Sequence, residues 1–142
     1  MGATKVVARY ADGRVIKGFT QDFFPNKDCF HLILDDNRRT VEVFVRRLKA
    51  VFFVRDLSGN SQYQERKRYL QGENPGGVKL EVTFVDNEVL VGSTPPGYDP
   101  KRQGFFLTPA DPESNNLRVF VVASAVKGVR QLFDYLLESS TL

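Results

Sequence analysis

Cys29 and His31 are the residues of this chain whose types could do nucleophilic chemistry together. Two positions apart on a strand, they share a face. A thiol becomes a nucleophile when an imidazole takes its proton and a third group orients that imidazole, and no such group stands beside them in the sequence. Each is the single residue of its kind, which excludes an internal disulfide and a metal site built on a histidine pair. Cys29 therefore reads as a small strand-edge residue and His31 as a partly buried strand residue. Asp35-Asp36 and Asp111 fall where turns are expected, and turn chemistry accounts for them. Asn74-Pro-Gly-Gly77 lacks the Lys-Ser or Lys-Thr that would complete a phosphate-cradling loop. No catalytic, cofactor-binding or metal-ligating residue is assigned, and a non-enzymatic protein without a cofactor is expected.

The charged residues carry more information. The net charge is +3 and the sequence pI is near 9.1. Residues 1–57 hold 11 basic and 7 acidic side chains, while residues 78–142 hold 6 and 8. The basic character thus concentrates in the first half, at Arg38, Arg39, Arg46, Arg47, Lys49 and Arg55. Arg38, Arg39, Arg46 and Arg47 are the candidates for anion binding. Against them stands the plain reading of a solvated basic rim. Phe23-Phe24-Pro25 is a second unusual feature, because two adjacent aromatics on a loop cannot easily both point inward. Phe23, Phe24 and Pro25 with Arg46 and Arg47 form the candidate protein-binding surface. Aromatics supply anchors, and a basic rim speeds encounter with an acidic partner. The balance is too mild for a dedicated nucleic-acid binder. Self-association is the rival, the basic half of one copy meeting the acidic half of another.

The elements that position these residues repeat. Lys5–Thr20 aligns without a gap on Lys79–Thr94, with Lys, Asp, Val, Gly and Thr identical at five of 16 positions. Pro25, Phe30, Leu32 and Asp36 then match Pro100, Phe105, Leu107 and Asp111. Val43-Phe44-Val45 matches Val119-Phe120-Val121, and Leu48–Val51 matches Val126–Val129. An internal duplication is the reading. In each half, an alternating strand leads into a tight turn, Asp12-Gly13 or Asp86-Asn87, expected to be a two-residue hairpin. The return strand is interrupted by Gly18 or Gly92, the mark of a sharp bend. Three more strands follow, near Cys29–Leu34, Thr40–Val45 and Lys49–Val54, and near Phe105–Thr108, Leu117–Val122 and Val126–Leu132. Five short strands with one strong bend describe a small closed barrel.

The expected architecture is all-β: two tandem five-stranded small barrels with a short C-terminal helix. Residues 1–57 form the first barrel, 58–77 a polar linker, and 78–142 the second barrel with a terminal helix near Asp134–Glu138. No apolar run approaches the roughly 20 residues that span a bilayer, and no apolar signal segment follows Met1. A cytoplasmic protein is expected.

Asp12-Gly13-Arg14, Gly18 and Phe30-His31-Leu32 resemble the first motif of the Sm-like barrels, and Asp86, Gly92 and Phe105-Phe106-Leu107 repeat it. The resemblance implies the small-barrel fold. Arg46-Arg47-Leu48 and Ala123-Ser124-Ala125 stand where that family's second motif, an Ile-Arg-Gly, would be, so RNA binding is not carried over. Arg46-Arg47 and Asp56-Leu57-Ser58-Gly59 faintly resemble the arginine and Asp-x-Ser elements of cyclic-di-GMP-binding PilZ barrels, though in compressed order. The whole chain is similar to an uncharacterised bacterial family of unknown function. Its phrases stand here as Asp12–Gly18, Asp22–Lys27, Leu48–Val54 and Arg118–Lys127. Together these readings point to a protein-interaction or regulatory module in bacterial signalling. The alternative is a barrel protein that binds nucleic acid or a cyclic dinucleotide.

Overall fold

The computed structural model describes residues 3–99 and 101–133. The expected terminal helix lies outside them. The first half contains β1 (Thr4–Tyr10), β2 (Val15–Thr20), β3 (Cys29–Leu34), β4 (Thr40–Phe44) and β5 (Leu48–Val54). The second contains β6 (Val78–Phe84), β7 (Val89–Thr94), β8 (Gly104–Pro109), β9 (Asn116–Val122) and β10 (Val126–Gln131). A single 3-10 turn precedes the last strand of each half, at Val45–Arg47 and Ala123–Ala125.

Turn chemistry connects the strands. The first turn of each half is a three-residue loop rather than the expected two. Tyr10 N donates to Arg14 O (2.8 Å) and Gly13 N to Tyr10 O (3.0 Å), while Phe84 N donates to Glu88 O and Asn87 N to Phe84 O (both 2.9 Å). Gly13 (φ 99°) and Asn87 (φ 72°) hold the left-handed position that closes each loop. Asp12 and Asp86 each accept the backbone N–H two residues on, at 3.0 Å.

Strand order is β5-β1-β2-β3-β4 in one half and β10-β6-β7-β8-β9 in the other, all antiparallel. Gly18 faces Val6 and Leu34, and Gly92 faces Leu80 and Pro109, so the two glycines hold the same place. The expected pair of closed barrels is not what the pairing gives. β5 pairs with β9, not with β4, and the ten strands form one open antiparallel sheet.

This junction explains the burial of β5. All seven of its residues are buried. Ala50, Phe52 and Val54 enter a core with Leu80, Val82, Phe84, Phe105 and Val121. Val51 and Phe53 enter the other core, with Val6, Phe30, Leu32 and Val43, and β9 adds Phe120 and Val122 there. A strand buried on both faces reads as a continuous apolar run, as Ala50–Val54 does. Lys49 is the polar exception. Its ammonium meets Asp86 (2.7 Å) and Glu88 and lies over the Phe84 ring (4.8 Å). Burial works to lower its pKa, and the two carboxylates outweigh burial and hold it raised.

Residues 58–77 are an extended excursion bound to the second half. Tyr69 packs with Val91 and Ala110. Asp111 accepts from the backbone N–H of Arg66 (2.9 Å) and from the Tyr63 hydroxyl. That hydroxyl is pushed up to about 12 by its bond to the carboxylate.

Candidate functional site

The loops joining β2 to β3 (residues 21–28) and β7 to β8 (95–103) hold the same place in the two halves. The structure sets them side by side across the β5–β9 junction. The Gln103 amide bridges them, donating to Pro25 O (2.8 Å) and Lys27 O (2.7 Å). Gln103 is itself held by β9's end, through Ala123 N to Gln103 O at 2.8 Å. Between the loops opens a cleft of about 740 Å³. Phe105, Phe106 and Phe120 line its apolar part, Pro25, Pro95 and Tyr98 its wall, and Asn26, Asp99, Arg102 and Gln103 its polar edge. Tyr98 lies on Phe105, with ring centroids 5.2 Å apart.

The double phenylalanine divides between two roles. Phe23 points inward and meets Phe30, Phe53 and Phe120 edge-on at 5.1–5.4 Å. These T-shaped contacts are the favoured aromatic geometry. Phe24 points outward, 47% exposed, with the Lys27 ammonium 5.0 Å from its ring centroid. Pro25 lies on the cleft wall. Beside the cleft Phe24 is the exposed aromatic, while Tyr98 is half-buried against the core.

The candidate arginines do not form one cluster. Arg38 and Arg39 lie in the turn before β4, and Arg46 and Arg47 in the 3-10 turn after it. Five residues of strand separate them, about 16 Å. All four are exposed, Arg38 over the Phe19 ring (5.7 Å) and Arg47 over the Phe44 ring (5.9 Å). The 3-10 turn that carries Arg46 and Arg47 is tied to the end of loop 21–28, where Val45 N donates to Asp28 O at 2.9 Å, but neither arginine lines the cleft. The Asp56–Ser58 turn lies at the other end of β5, about 20 Å from Arg46 at the usual strand rise. Its carboxylate takes the N–H and hydroxyl of Ser58 (3.0 and 2.9 Å), and Asn115 clasps its backbone. The two PilZ-like elements therefore cannot meet one ligand.

Cys29 and His31 do have the third group that the sequence hid. Asp22, nine residues before His31, accepts its backbone N–H at 2.8 Å and lies 2.7 Å from ring Nδ1. On the far side, Nε2 faces Glu42 at 3.9 Å, and the Cys29 thiol donates to the same Glu42 at 3.7 Å. Burial alone would raise Asp22, but the His31 backbone N–H, the ring and the Thr20 hydroxyl hold it lowered. The Asp22 bond, with Glu42 beyond, holds His31 raised. Burial and the charges of Glu42 and Asp28 push the Cys29 thiol up. A raised thiol beside an imidazole already paired to two carboxylates is the reverse of an activated nucleophile. The arrangement instead ties loop 21–28 to β3 and β4.

This tie has a pH dependence. The His31 pKa is raised in the folded state, so its contribution to stability is complete below the unfolded value and lost as pH rises through the folded one. The melting temperature of the wild type should fall as pH rises above the ordinary histidine value of about 6.5. In His31→Gln that fall should be absent or much reduced. An equal fall in both proteins would assign the effect to other groups.

A family model matches residues 2–133, nearly the whole chain. The chain belongs to the family of unknown function DUF6982. No curated protein and no solved structure matches it. The chemistry of this DUF6982 member is therefore read from its own side chains. The sequence pointed to Pro25 on the cleft wall and passed over Tyr98, Arg102 and Gln103. Gln103 had one signal: it directly precedes the glycine that aligns with Cys29.

Proposed function

We propose that the protein is a non-enzymatic interaction module. Its cleft takes a peptide segment with one apolar anchor flanked by acidic residues. The observation that carries this reading is a cleft walled by aromatics of the second half and by prolines of both halves. Exposed Arg102 lies on its edge with Asp99 as the opposing charge, and Lys27 and Lys101 are exposed on the two loops that bound it. Aromatic anchors in a pocket and a charged rim are how interfaces combine affinity with encounter rate. The finer architectural reading belongs with this proposal: two tandem Sm-like five-stranded halves, descended from an internal duplication and joined in one open sheet. The identical strand order, paired glycines and matching three-residue loops support it.

The test uses synthetic peptides with one central Phe or Leu, flanked by Glu in one set and Lys in the other, read by fluorescence anisotropy. Saturable binding of the Glu-flanked set on the order of micromolar is expected. Arg102→Glu, at an exposed position on the cleft edge, should abolish it while the melting temperature holds. Binding of neither set, or equal binding of both, would overturn the reading.

A further inference from the structure

β5 and β10 hold the same place in their halves, yet their surroundings differ. β5 pairs on one side with β1 and on the other with β9. β10 pairs with β6 alone, and five of its six residues are exposed. Val51 is fully buried, while Val129 at the matching position is 40% exposed. β4 pairs with β3 alone, whereas its counterpart β9 is covered by β5. The relation that joins the halves therefore leaves one strand of each kind without a second partner among the described residues.

We infer that β4 of one copy pairs with β10 of another, repeating the β5–β9 junction between chains in a head-to-tail assembly. The register can be carried across. His31 faces Glu42 as Phe106 faces Phe120, so the pairing puts Glu42 in the place of Phe120, two residues away from the match expected from the sequence. Val51 faces Phe120 and Phe53 faces Arg118 in the junction, so Val129 would face Glu42 and Gln131 would face Thr40 of the next copy. Hydrogen-bond direction agrees. Leu132 N donates to Lys79 O (2.9 Å), so residues 130 and 132 turn their backbone groups toward β6 and residues 129 and 131 turn theirs outward. On β4, Leu34 N donates to Arg39 O (2.8 Å) and Val45 N to Asp28 O (2.9 Å), which leaves residues 40, 42 and 44 outward. Outward groups thus meet outward groups.

Charge agrees as well. Lys127 holds the place of Lys49, and Asp12 the place of Asp86. Lys127, now on Asn87 Oδ1 at 3.1 Å, would reach Asp12 of the next copy as Lys49 reaches Asp86. Arg130 is already held by Glu81 at 3.1 Å, so the Lys127–Asp12 pair is the one charge contact carried across. Long unpaired edges are templates for another strand, and a heterologous contact that repeats makes a ring or a filament.

The test removes one outward N–H from each edge. Val129→Pro blocks β10 and Thr40→Pro blocks β4, and neither touches a bond inside the chain. Sedimentation of the wild type should show a concentration-dependent series of multiples of the chain mass. Each variant alone should be a folded monomer. Mixed, they should form a dimer and go no further, because each supplies the edge the other lacks. Should a proline variant fail to fold, Lys127→Glu should weaken assembly on the order of tenfold. Adding Asp12→Lys to that chain should restore it. A monomeric wild type, a variant that still self-associates, or assembly that appears only after removal of residues 134–142 would overturn the inference. These outcomes are read as mass and leave peptide binding in the cleft a separate question.

Discussion

Gly18→Ala and Gly92→Ala should each destabilise the protein by at least about 3 kcal/mol, and Gly128→Ala by less than about 0.5 kcal/mol. A Cβ on Gly18 would lie 2.0 Å from the carbonyl oxygen of Ile33, and one on Gly92 would lie 2.2 Å from that of Thr108. Both obstacles are backbone, so no side chain can rotate away. The chain can escape only by moving β2 from β3, or β7 from β8, and those pairings are short: Gly18–Leu34 with Phe19–Ile33, and Gly92–Pro109 with Ser93–Thr108. Widening either pair loses bonds that hold half of the sheet. Gly128 is the control, because its Cβ would meet nothing within 4 Å. Thermal or urea melts of the three variants decide the matter. A mild loss at Gly18 or Gly92 would show that the two strands do not cross as closely as described.

Phe23→Ser should cost about 2–4 kcal/mol, and Phe24→Ser should leave the melting temperature nearly unchanged. The neighbours differ in surroundings, not in type. Phe23 loses edge contacts to Phe30, Phe53, Phe106 and Phe120, a cluster that includes rings from both halves. Its loss therefore loosens the β5–β9 junction as well as the loop. Phe24 gives up a Lys27 contact in water, which is worth little. Equal melting temperatures for the two variants would mean that Phe23 is not a core residue. A variant carrying Phe23→Ser would confound binding with folding for this reason. Phe24→Ser alone is the variant for the peptide experiment.

Much of the fold was legible because its signals are local. Alternation marked the strands, with β3 at Cys29–Leu34 as expected. Gly13 and Asn87 marked the turns, and only the loop length was misjudged, since three- and two-residue hairpins share these residues. The glycines at 18 and 92 announced a close approach that the backbone distances show. The candidate site was less legible. Phe23 and Phe24 look alike in sequence, and only the packing of β3, β5 and β9 decides which ring faces inward. Arg38, Arg39, Arg46 and Arg47 look like one basic run until a strand is laid between them. Asp22 was hidden because a bend and a loop, not a motif, bring it to His31.

By itself, the sequence determined that this is an all-β chain whose halves share one pattern, with bends at Gly18 and Gly92. Each of those features depends on a residue's own backbone preference or on its neighbours within a few positions. Which strand lies beside β5 was decided only in three dimensions. β4 alternates, with Glu42 exposed, whereas β9 carries the apolar run Val119–Val122, buried throughout, so the sequence marks β9 as a strand covered on both faces. Backbone N–H and C=O groups, however, are the same on every edge and do not name its neighbour. The choice falls to burial: β5 is apolar on both faces, and beside β9 both faces find a core.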